Sequence, residues 1–125
     1  MKIWLLDKDK NIESYENRRF REEAVDAGID FSFLAIEDFD LIVPSDTSHD
    51  RPYEGHTSNN VDCLIPRLGS GATYFSLSAL RYLEQGGIFT LNPSRSIEVG
   101  RDKLATIQCL AGNNIPIPKT CSGLI

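Results

Sequence analysis

Two short apolar runs near the start of the chain, Lys2 to Leu6 and Phe31 to Ile36, constrain its fold more than any other feature. The first stops at Asp7. Both have the length and continuity of buried strands. Between them, Ser14 is placed to cap a helix from about Tyr15 to Ala27, and Gly28 to stop it. Tyr15, Phe20, Ala24 and Ala27 share one helical face, while Arg and Glu fill the other. Strand, helix and strand in this order make a βαβ unit, which implies parallel strands joined by a right-handed crossover.

The rest of the chain extends the same alternation. Asp62 to Pro66 reads as a third strand, followed by a glycine-rich turn at Arg67 to Thr73 and a helix through about Gln85, stopped by Gly86-Gly87. Ile88 to Leu91 reads as a fourth strand. Ser94 is placed to cap a short helix that Gly100 interrupts, and Arg101 to Ala111 reads as a further helix with Leu104, Ile107, Leu110 and Ala111 on its apolar face. Leu41 to Val43 fits a short edge strand ended by Pro44, and Ser45 to Asn60 is a polar, acidic loop or hairpin. The expected fold is therefore α/β: a three-layer, Rossmann-like open sheet of four to five mostly parallel strands with helices on both faces. Ligands of such sheets gather beyond the carboxyl ends of the strands, here Asp7-Lys8, Arg67 to Gly71, and Asn92 to Ser94.

Length and charge narrow the function. With 125 residues the chain makes one domain. Residues 1–36 carry six bases and eight acids, residues 37–62 one base and seven acids, and residues 63–125 six bases and three acids. No basic stripe interleaved with aromatics is present, so nucleic acid is not an expected partner. The surplus of bases in the last part points to an anionic small molecule there. No apolar run reaches the ~18 residues of a membrane span. The first apolar run is too short for a secretory signal, so a cytoplasmic location is expected. Cys63, Cys109 and Cys121 are widely spaced and read as reduced thiols, with Cys63 and Cys109 packed as small hydrophobes.

Two places carry candidate chemistry. Gly69-Ser70-Gly71 opens a helix after a strand, where backbone N–H groups can meet an anion, but Tyr74 stands where G-x-G-x-x-G needs its third glycine. The turn is either a tight connection or a ligand-facing one. Arg67 beside it can grip a carboxylate or phosphate through two parallel hydrogen bonds. At Arg101-Asp102-Lys103, a cation in the first turn of a helix opposes the macrodipole. A bound anion would remove that conflict, an Asp102 cap would offset it in part, and a solvated basic face is the plain alternative. His49 and His56 lie among acids in a spacing that fits no metal-ligand pattern.

Taken together, Pro66-Arg67-Leu68-Gly69, Ala79-Leu80-Arg81, Leu91-Asn92, Arg101-Asp102-Lys103-Leu104 and Ile115-Pro116-Ile117-Pro118-Lys119-Thr120 occur in the order and spacing that resembles the start of RimK-type ATP-grasp carboxylate–amine ligases. The resemblance implies a pre-ATP-grasp domain over residues 1–120, with residues 121–125 as a tail or the start of the ATP-grasp domain. It implies ATP and magnesium as cofactors, an amino acid or peptide as acceptor, the ATP-grasp domain as partner, and an oligomeric assembly. It places Lys103 and Arg101 toward the ATP phosphates, and Arg67, Gly69, Ser70 and Asn92 on the acceptor side. It assigns no catalytic residue and no metal ligand within these residues, because the family's magnesium ligands lie beyond the matched part. Such a chain is expected to be inactive in isolation. The alternative is a stand-alone α/β module for small-molecule binding or dimerisation.

Overall fold

The structure, a computed structural model, describes residues 1–8, 14–41, 60–69 and 73–123. Its elements are β1 (Lys2–Asp7), α1 (Tyr15–Asp26), β2 (Asp30–Ala35), β3 (Cys63–Arg67), α2 (Tyr74–Gln85), α3 (Ser94–Arg101) and α4 (Lys103–Gly112), with a 3-10 turn at Ile36–Asp38. The strands form a parallel sheet in the order β2-β1-β3, with Leu5 opposite Phe33 on one side and Ile65 on the other. The alternative edge strand at Leu41 to Val43, the acidic hairpin and both histidines lie outside the described residues, apart from Leu41, which packs partly buried against the core.

Side chains alternate across a strand. Trp4, Leu6, Leu34 and Leu64 therefore share one face and meet Ala79, Leu80 and Leu83 of α2 in the buried core. The opposite face meets α1: Phe20 stacks on Phe31 with ring centroids 6.2 Å apart, and the Arg21 guanidinium lies 5.2 Å from the Phe33 ring centre. Helices thus cover both faces: α1, between β1 and β2, covers one, and α2, between β3 and the segment that bridges Leu64, covers the other.

Local signals set the helix ends. Ser14 Oγ accepts the Asn17 N–H at 3.2 Å, as its sequence position predicts. Gly28 follows α1 with φ +65°, a conformation that favours glycine. Thr73 and Ser76 cap α2 reciprocally. The inward face of α1 is the expected one at Phe20 and Ala24 and departs from it at Tyr15 and Ala27, which are exposed. Its buried residues are Asn17 and Ala24, while Tyr15 is 65% exposed.

Among the described residues the sheet has three full strands where four to five are expected. The segment after α2 makes one parallel bridge, Leu64 to Thr90, through Leu64 N–H to Phe89 O at 2.8 Å and Leu91 N–H to Leu64 O at 2.9 Å. Leu64 turns both its backbone groups toward this segment. Two residues on, Pro66 faces the same side without an N–H, so the ladder cannot continue.

Three further expectations are corrected beyond this point. Ser94 is the first residue of α3 and not its cap. Its N–H and Oγ both donate to the Glu84 carboxylate at 2.6 Å, and Thr90 Oγ1 donates to the same carboxylate at 3.0 Å. Gly100 lies inside α3, and the break comes at Asp102. Asp102 caps α4 by accepting the Leu104 and Ala105 N–H groups. α4 packs chiefly against α3 and buries none of its residues, so Cys109 is exposed and not packed.

Glu84 therefore ties the end of α2 to the bridge segment and to the start of α3. Glu84→Ala leaves Thr90 and Ser94, both nearly buried, without that acceptor. It should cost about 2 kcal/mol of stability in urea denaturation, and a change below about 0.5 kcal/mol would show that the three bonds exchange freely for water. The thiols should also separate. Burial pushes the half-buried Cys63 thiol up from its ordinary value, so Cys109 and Cys121 should react with a disulfide reagent at mildly alkaline pH well before Cys63.

Candidate functional site

β1 leads to β2 on one side and β3 leads away on the other, so the strand order reverses between β1 and β3. Their carboxyl ends form the crevice where open α/β sheets bind ligands. Asp7 and Arg67 are register partners there. They do not touch directly. Asn17, projecting from the first turn of α1 and only 2% exposed, stands between them. Arg67 Nη1 donates to Asn17 Oδ1 at 2.7 Å, and Asn17 Nδ2 donates to Asp7 Oδ2 at 3.2 Å. Asp7 Oδ1 also accepts the Lys8 N–H at 2.7 Å. The Arg67 guanidinium lies 5.9 Å from the ring centre of Phe20, so its plane is supported by an aromatic and its orientation by an amide.

Alternation sends the neighbours of Arg67 to the other face. Pro66 and Leu68 floor a cleft of about 400 Å³ that is also lined by Gly69, Ile97, Gly100, Arg101 and Lys103. Gly69 makes the turn with φ +58°, which a residue with a Cβ adopts only under strain. Its floor is apolar and its rim holds two exposed cations, which suits a ligand with an anionic end.

Four of the sequence-predicted site residues thus fall into two groups. Gly69, Arg101 and Lys103 come together in the cleft. Arg67 sits on the α1 side with Asn17 and Asp7. Asn92 is exposed beyond the single bridge and lines neither place. Ser70 lies outside the described residues. Arg101 belongs to the last turn of α3, where a cation complements the macrodipole. Lys103 opens α4, but the Asp102 carboxylate already occupies the Leu104 and Ala105 N–H groups. The first-turn cation is offset within the chain, so helix electrostatics alone do not demand an anion.

Asn17 was not among the residues that sequence patterning singles out. Its signal was its phase: Asn17, Phe20 and Ala24 lie at the spacing of one helical face. A polar residue in phase with that stripe is the mark of a buried amide with partners.

A family model described as the RimK PreATP-grasp domain matches residues 1–97. Among curated proteins, a probable alpha-L-glutamate ligase of Picosynechococcus is 36% identical over 123 residues, covering 96% of this chain and 39% of the relative. A probable alpha-L-glutamate ligase of Klebsiella pneumoniae is 37% identical over 120 residues, with the same coverage. The ribosomal protein bS6–L-glutamate ligase of Escherichia fergusonii is 36% identical over 121 residues. The chain spans about two-fifths of the length of these relatives, as their 39% coverage gives. By the matched residues and the parallel α/β sheet they build, the chain belongs to the RimK pre-ATP-grasp domain family.

Proposed function

We propose that this chain supplies the acceptor-side wall of the cleft in a RimK-like, ATP-dependent carboxylate–amine ligase that transfers glutamate in the cytoplasm. In that reaction class an acceptor carboxylate takes a phosphoryl group from ATP and an amine then displaces phosphate. Residues 1–120 form the pre-ATP-grasp part, and residues 121–125 lead toward the ATP-grasp domain. The observation that carries the proposal is the convergence of the Gly69 turn with Arg101 and Lys103 in one cleft, at the same strand end that holds the Arg67 guanidinium in a fixed plane on its α1 side. The acceptor is an amino acid or a peptide, of the kind that the bS6 ligase relative's name gives for that protein. The working assembly is an oligomer.

The residues present fit part of the ATP requirement. Lys103 and Arg101 are cations suited to phosphate oxygens, and neutralising phosphate charge is the main demand of phosphoryl transfer. Magnesium is different. Among the described residues no group of three or more His, Cys, Asp or Glu is assembled for a metal ion. Arg67 suits a carboxylate, because its planar donors match two carboxylate oxygens.

The division of labour is testable on the chain itself. ATP should bind weakly, with a dissociation constant on the order of millimolar, as expected of a few phosphate contacts at an exposed rim. Amide signals near Gly69, Arg101 and Lys103 should shift, and Lys103→Ala should remove the shifts while leaving the melting temperature unchanged. ATP shifts that survive Lys103→Ala and Arg101→Ala together would overturn the assignment of the phosphate side.

A further inference from the structure

We propose that Asn17 is a positioning residue that insulates Arg67 from Asp7, and so reserves the guanidinium for an anionic ligand in the crevice. The inference rests on the proposed role of Arg67 as a carboxylate clamp. Asp7 and Arg67 are directly paired in register on neighbouring strands, with side chains on the same face. An acid and a base in that relation ordinarily attract each other. A direct ion pair would occupy the donors that a ligand needs and cancel the charge that draws it. No such pair forms among the described residues. The Asn17 amide fills the gap and satisfies both sides with opposite ends, Nδ2 toward Asp7 and Oδ1 toward Arg67.

An amide is the group this position requires. It donates and accepts at once and carries no charge. Asn17 Oδ1 engages Nη1, and among the described residues no other hydrogen bond reaches the guanidinium. Arg67 is thus oriented without being neutralised. The second Asp7 oxygen is anchored by the Lys8 N–H, which fixes the carboxylate on its own side of the amide. The position also argues against a purely structural role. Asn17 is in phase with Phe20 and Ala24, where an apolar side chain would pack without the cost of burying an amide. A side chain too short to fill the gap would leave Asp7 and Arg67 free to close on each other.

Glutarate, a dicarboxylate, is the probe, titrated into the 125-residue chain and followed by the Arg67 Nε–H signal. Asn17→Ala should weaken glutarate binding about tenfold or more, the scale of one charge-assisted hydrogen bond. Adding Asp7→Asn to that variant should restore binding to within a few-fold, because the competing charge is gone. A residue with a merely structural role would show no such rescue, since the double variant perturbs both buried Asn17 and half-buried Asp7 in place of one. If Asn17→Ala does not fold, Asn17→Ser takes its place, with a hydroxyl too short to reach both neighbours. Binding unchanged by the Asn17 substitutions, or weakened without rescue, overturns the inference while leaving Arg67 as the clamp. Binding unchanged in Arg67→Gln, or absent from the unsubstituted chain, overturns the clamp and the inference with it.

Discussion

The two parallel ladders made by β1 are the constraint on which the rest of the domain depends. β1 is hydrogen-bonded along both edges and covered on both faces, with Leu5 and Leu6 fully buried. A strand so placed must be apolar at successive positions, and Trp4-Leu5-Leu6 meets that demand. α1, which joins β1 to β2, covers one face, and α2, which follows β3, covers the other. The backbone then diverges at the carboxyl ends of β1 and β3. The crevice is a consequence of strand order, and the residues around it decide what the crevice does.

The end of β3 serves both sides of that opening. Alternation carries Arg67 toward α1, and Pro66 and Leu68 toward the cleft under α3. One short strand end therefore presents a guanidinium to one environment and an apolar floor to another. The two environments are built differently. On the α1 side the polar groups are part-buried and hold one another in place. On the α3 side the cations are exposed at a rim.

Much of this was legible in the sequence. The three strands, the Ser14 cap and the Gly28 stop follow from hydrophobic runs and cap chemistry, and the strand-end rule picks out the turn at Gly69. What escaped has identifiable reasons. Asn17 went unassigned because helical patterning counts only apolar residues. Ser94 looked like a cap because its chemistry suits one, but Glu84, ten residues earlier in the chain, claims both its N–H and its hydroxyl. The fourth strand is reduced to one bridge by Pro66, a residue of the neighbouring strand, together with Pro93 of the segment itself. In each case a deciding partner lies in another element, beyond the reach of local periodicity.

Pro66 has one more effect. Parallel sheets with an open, apolar edge invite another chain to add as a strand, and Phe89 and Leu91 would offer such an edge with their side chains largely exposed. The missing N–H of Pro66 keeps the bridging segment from being drawn out into a long, flat strand. What remains is a stub with too few free backbone groups to template a neighbour. The proline that shortens the sheet thus also leaves this edge short, the form in which an edge pairs least readily with another chain.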